Sequence, residues 1–207
     1  MSPIQIHQTA LIGQPLRPLQ GFRTSSRNPD DKVVKHEGNL YVGPYSVIGE
    51  GVDLGNNVII DSCCVLERGV SIGSNTLVVH RATIGGYSSV GRDCVIGGFV
   101  GEGTVIGNNC RIFGTLAHKQ DDPAQSWDHR EQDEPSVRVY DWTFIGFHAF
   151  VAGDIEIGPM AYITACASVT RTVPPRFVAY GHNQLCHIDD WTGDLAKSTF
   201  FEGRGLA

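Results

Sequence analysis

Charge is scarce in this sequence. Asp, Glu, Lys and Arg together make up only 18% of the 207 residues, with a formal net charge of −6. Lys and Arg form no cluster, which argues against nucleic acid or an anionic membrane surface as partner. No apolar run approaches the length that spans a bilayer, and the opening MSPIQIHQTA lacks a signal-peptide core. A soluble cytoplasmic protein is the expectation. The six Cys include no C-x-x-C pair, so neither a zinc motif nor a thioredoxin-like redox motif is indicated. At this length one domain with a continuous core is expected.

What the chain has in quantity is glycine, 25 residues of it, and a period. An aliphatic residue returns every six positions: Val42, Ile48, Leu54, Ile60, Leu66, Ile72, Val78, Ile84, Val90 and Ile96. Glycine follows most of them. Four places after each stands something small or β-branched, from Ser46 and Val52 through Cys64 and Thr76 to Cys94 and Val100. A period of six fits neither the 3.6 of an amphipathic helix nor the 2 of an alternating strand. It fits one short strand plus one tight corner, with three such hexads closing one coil of a parallel β-helix. The fold class is therefore all-β. The aliphatic and small positions stack inward, and glycine is expected at the corners for its freedom in φ. Cys64, Cys94 and Cys110 fall on the small inward position and read as small hydrophobes. Cys166 and Cys63 adjoin that position, and Cys186 lies in the tail.

Two stretches break the period. Residues 14–40 and residues 115–134 are polar or proline-bearing, and both read as loops extruded from the solenoid. The first is either a capping loop or a flap over a neighbouring subunit. A four-residue step from Ile96 to Val100 predicts one shortened corner. The period resumes at Val139, Ile145, Val151, Ile157, Ile163 and Val169. Val-Pro-Pro at Val173 to Pro175 is expected to end it, because proline cannot donate to a strand ladder. Counting hexads predicts about six coils. The solenoid is assigned to residues 1–184 and a tail to 185–207, with a short helix within DDWTGDLAKSTFF. Open ends and flat faces predict an oligomer.

Hexads such as VIGEGV, DLGNNV and SIGSNT are similar to those of the hexapeptide-repeat acyltransferases, over roughly three-quarters of the chain. The resemblance implies a left-handed parallel β-helix and a homotrimer with sites between subunits. It also implies acetyl-CoA or another acyl-CoA as co-substrate, a small-molecule acceptor, and no metal. Regular coils are filled with Ile, Leu and Val, so chemistry must sit where extruded loops meet a face. The 115–134 loop carries His118 and His129, with Lys119, Asp121, Asp122 and Asp128 beside them.

LAHKQDD, then Pro135, Asp141 and Phe144-Ile145-Gly146, resembles the catalytic-loop region of the xenobiotic-acetyltransferase branch. That implies His118 as general base, taking a proton from a hydroxyl or amine as it attacks a thioester. His80-Arg81-Ala82-Thr83 is similar to the coil motif of the serine-acetyltransferase branch, which makes His80 the second candidate. The resemblance places the pantetheine arm beside backbone amides of Gly146, Ala152, Gly153, Thr164, Ala165 and Thr170, with Arg171 near a CoA phosphate. Phe144 stands for the family's Trp, and His182-Asn183-Gln184 for its Pro-Ala step. These departures leave the acceptor open among sugars, amino acids and antibiotics.

Two other readings share the solenoid. The gamma-class carbonic anhydrases bind a metal through three His from two subunits. His80 and His118 are spaced for that, but Pro123 occupies the place of the third ligand, and His129 or His148 would need a different geometry. The other is a trimeric scaffold without catalysis.

Overall fold

The computed structural model describes residues 4–14, 33–119 and 135–193. Its strands form three parallel sheets of ten, eight and seven strands. Successive strands pass from the first sheet to the second to the third, then return one level up. The result is the left-handed-β-helix class of architecture: an all-β solenoid of three faces and three corners. The hexads predict this directly. Leu40 pairs with Val58 and Val47 with Val65, partners 18 residues, or three hexads, apart.

Seven complete turns are present, from Ile4–Ile6, Leu11–Gln14 and Lys35–His36 up to Phe144–Ile145, Phe150–Ala152 and Glu156–Ile157. An eighth follows with Tyr162–Ile163, Ser168–Val169 and a bridge from Val173 to Ile157. The expectation of six therefore falls short. Lys35–His36, inside the segment read as a loop, pairs with Asp53–Leu54 and completes the first turn. Val-Pro-Pro does not end the stack either. Phe177–Tyr180 still pairs in parallel with Tyr162–Ile163, then turns into the antiparallel strand Gln184–His187. One 3₁₀ turn, Ile188–Asp190, stands at the start of the stretch read as a tail helix, and the rest of that stretch beyond residue 193 lies outside the described residues.

The core is the predicted ladder. Ile48, Ile60, Leu66, Ile84 and Ile96 have no exposed surface, and Cys64, Cys94 and Cys110 are buried beside them. Each such Ile or Leu contributes about 1.5–3 kcal/mol of burial.

Glycine is needed for a reason other than the one expected. The glycine after each aliphatic sits where turns approach: a Cβ on Gly73 would lie 2.6 Å from Arg92 N, and one on Gly49 2.7 Å from Arg68 N. The left-handed corner residue comes two places later and is mostly not glycine, as at Asn57, Asn75, Arg81, Asp93 and His148.

The corner from third to first face shows how this is held. Asn57 Nδ2 donates to Asn75 Oδ1 at 3.1 Å, and Asn75 Nδ2 to Asp93 Oδ1 at 3.2 Å, so polar side chains pair turn upon turn. Asx side chains tolerate this backbone well.

Outward positions differ by face. The first face shows Tyr41, Ile59, Leu77 and Val95, and the second shows Val47, Val65, Phe99 and Phe150. The third shows Lys35, Asp53, Ser71, Ser89, Arg138 and Glu156. The first two faces are mostly apolar, with Arg111 on the first and Thr83, Thr115 and Ser168 on the second, and the third is mostly polar, with Val105 exposed on it. Among the described residues no helix is long and apolar enough to cross a membrane.

Candidate active site

His118 follows the strand Thr115–Ala117, where the chain leaves the second face. It occupies the second residue after an inward aliphatic. Down that corner the same position is held by Glu50, Arg68, Gly86 and Glu102, and above it by Gly153 and Arg171. The corner between second and third faces is therefore a column of charge and glycine on an uncharged core.

Its lower part is tied. Arg68 Nη2 pairs with Glu50, whose side chain is only 6% exposed, and that carboxylate raises the Arg68 guanidinium above its ordinary value. Glu67 Oε2 accepts from the Gly86 amide at 3.0 Å.

His118 bonds the backbone of the residue beside it. Its Nδ1 lies 2.9 Å from the carbonyl oxygen of Lys119. A carbonyl only accepts, so in the neutral ring Nδ1 carries the hydrogen and Nε2 the lone pair. The Lys119 amide in turn donates to the Pro135 carbonyl at 2.9 Å, which draws together the two ends of the segment 120–134. His129, Asp121, Asp122 and Asp128 belong to that segment and lie outside the described residues.

His80 is exposed at the other edge of the second face, on the first-to-second corner. Its Nδ1 is 2.9 Å from Ser62 Oγ, one turn below, and Ser62 N donates to Asp61 Oδ1 at 2.6 Å. Above it the predicted short corner recurs. Ile96 to Val100 and Ile112 to Leu116 are both four-residue steps, so two stacked corners, at Gly97-Gly98 and Phe113-Gly114, are truncated. Only the first of these was expected. Phe113 packs there, stacked on Phe147 at 4.6 Å.

Within one chain the two histidines do not converge. The residues expected at the pantetheine divide likewise. Ala152, Gly153, Thr170 and Arg171 lie above His118, whereas Gly146, Thr164 and Ala165 lie on the His80 corner. Several of their amides are engaged: Gly146 N with Ile163 O, Gly153 N with Ala117 O, Thr164 N with Ala179 O, and Thr170 N with Asn183 Oδ1 at 2.8 Å. Arg171 is exposed. Among the described residues no three His, Cys, Asp or Glu side chains are grouped to hold a metal ion.

Burial pushes the Cys64 thiol up to about 11. Cys94 and Cys110 share a hydrogen bond that lowers Cys94 and, with burial, raises Cys110. The Glu50–Arg68 and Ser62–His80 pairs were not anticipated. Their signal was a spacing of 18 at equal hexad positions.

Repeat and stacking together define an all-β hexapeptide-repeat solenoid of the β-helix class. The particular proteins it is similar to are the following. The bifunctional protein GlmU of Thermosipho africanus is 28% identical over 155 residues, 75% of this chain and 29% of that protein. That of Thermodesulfovibrio yellowstonii is 27% identical over 191 residues, 78% of this chain and 39% of that protein. The chain thus spans well under half the length of these relatives. Among solved structures, the UDP-N-acetylglucosamine acyltransferase of Campylobacter jejuni aligns at TM-score 0.45 and 16% identity, over 87% of this chain and 73% of the other. The polySia-specific acetyltransferase NeuO aligns at 0.44 and 17%, over 75% and 85%. No family model matches the chain.

Proposed function

We propose that the protein is an acyltransferase that moves an acyl group, acetyl in the simplest case, from acyl-CoA to a hydroxyl or amine of a small molecule. The observation that carries this is His118, placed where the chain leaves the coil, with Nδ1 against the Lys119 carbonyl. Nε2 then takes the proton from the acceptor O–H or N–H, whose lone pair attacks the thioester carbonyl carbon. The tetrahedral intermediate collapses with cleavage of the C–S bond, and CoA leaves as a thiolate that takes up a proton. No acyl-enzyme is formed. Imidazole suits this role because its ordinary pKa lies near neutrality, whereas unshifted carboxylates are too weakly basic.

Acyl-CoA lies beside Ala152, Gly153, Thr170 and Arg171, which share the His118 corner, and Arg171 meets a phosphate. Gly146, Thr164 and Ala165 at the other corner, with His80, reach a site through a neighbouring subunit. A homotrimer is supported by the exposed Tyr41 and Ile59 of the first face and Phe99 and Phe150 of the second, which would otherwise face water.

Thiol release from acetyl-CoA and longer acyl-CoAs is the test, run against a panel of sugars, amino sugars, amino acids and antibiotics. Turnover with at least one acceptor is expected. No release across the panel, with acyl-CoA failing to bind in calorimetry, overturns the reading in favour of a scaffold.

A further inference from the structure

The segment that leaves the coil at His118 is fastened at its neck, and the fastening reaches the ring. Ser136, the first residue after Pro135, donates its hydroxyl to the Glu102 carbonyl one turn below, at 2.5 Å. Pro135, held by this anchor, accepts from the Lys119 amide at 2.9 Å. The carbonyl of the same residue, on the next peptide, accepts from His118 Nδ1, also at 2.9 Å. The backbone of Lys119 thus links the neck to the imidazole, bonded to Pro135 on one side and to the ring on the other. The next bond of the neck runs from Val105 N to Val137 O at 3.3 Å.

From this we infer that Ser136 is a positioning residue. By fixing Pro135, and through it the backbone of Lys119, it holds the carbonyl that sets the tautomer and direction of the His118 ring. This rests on the reading of His118 as general base, but the tautomer can be measured without turnover.

The experiment uses the full chain labelled with ¹⁵N-histidine, in the wild type and in Ser136→Ala, Ser136→Thr and His118→Ala. His118→Ala assigns the His118 signals. The wild type is expected to show His118 protonated at Nδ1 in its neutral form. Ser136→Ala is expected to give a mixture of tautomers and a kcat lower by about 10- to 100-fold, with KM for acyl-CoA unchanged. Ser136→Thr, which keeps the hydroxyl, is expected to restore both. If Ser136→Ala loses its β-sheet circular dichroism, Ser136→Cys replaces it, with an intermediate effect expected.

A Ser136→Ala spectrum and kcat equal to wild type overturn the inference. So does a loss that Ser136→Thr fails to restore in a folded protein. If instead His118→Ala keeps full turnover while the tautomer still follows Ser136, the assignment of the base fails and the positioning stands.

Discussion

The corner between third and first faces and the corner between second and third are built on the same hexad, yet they use polar residues differently. In the former, Asn57, Asn75 and Asp93 bond each other across turns, and Asn108 bonds Asp141 in the same way. That corner is closed upon itself. In the latter, Glu50 and Arg68 pair, but the same position then passes through Gly86, Glu102, His118, Gly153 and Arg171, so the ladder of like residues lapses, and the segments at 15–32 and 120–134 both leave from it. A solenoid needs only part of its corner chemistry for folding. Reactive groups are to be sought where the turn-to-turn ladder lapses.

The comparison breaks most visibly at His118. His118→Ala should lower kcat by about 10²–10⁴ while leaving acyl-CoA affinity nearly unchanged, with His80→Ala as the matched control. Steady-state kinetics decide: wild-type turnover in His118→Ala with loss in His80→Ala would move the base to the other corner.

Next in size is the buried pair of the same column. Arg68→Met leaves the Glu50 carboxylate buried without its cation and should cost about 3–5 kcal/mol in urea denaturation. A change below about 1 kcal/mol would mean that water or another group replaces the guanidinium.

The ladder corner should answer to mutation in stability alone. Asn75→Ala removes two side-chain bonds and forces alanine into a left-handed conformation at φ 59°. A loss of about 1–2 kcal/mol with unchanged kcat is expected. A fall in kcat would contradict the division between the two corners.

The smallest effect concerns pH. The Cys64 thiol ionises near 9.0 when exposed and near 11 in the folded core. Its contribution to stability is thus fully present below pH 9 and is lost as pH rises through 11. Cys64→Val, the residue other turns place there, should flatten the decline in denaturation midpoint over that window and change little at pH 7. An identical decline in both proteins would assign it to other groups.

Much of this was legible in the residues. The aliphatic at every sixth position fixed both the faces and the inward ladder, because a side chain that points inward on one turn must do so on the next. The shortened corner at Ile96 to Val100 was equally readable. Its twin at Ile112 to Leu116 was hidden because the aperiodic segment begins one hexad later and Thr115–Ala117 was absorbed into it. Lys35–His36 was missed because two residues of charge and imidazole on a polar face carry no hydrophobic signal. Which histidine stands at which corner was also readable from hexad phase. The neck through Lys119, Pro135 and Ser136 was not, since its partners are separated by a stretch without period.

That stretch has a consequence for how the chain comes together. Across most of the solenoid, ladder partners are 18 residues apart, but Ile106 and Val139 are 33 apart, and Ile4 and Leu40 are 36 apart. Loop closure grows only with the logarithm of length, so each of these two interfaces is dearer to form by about 0.5 kcal/mol. Folding that spreads from neighbour to neighbour therefore meets two slower steps, one at the first turn and one between a lower stack and an upper one. His118 belongs to the lower stack and Gly153 and Arg171 to the upper. The column at that corner is completed only when the two stacks join.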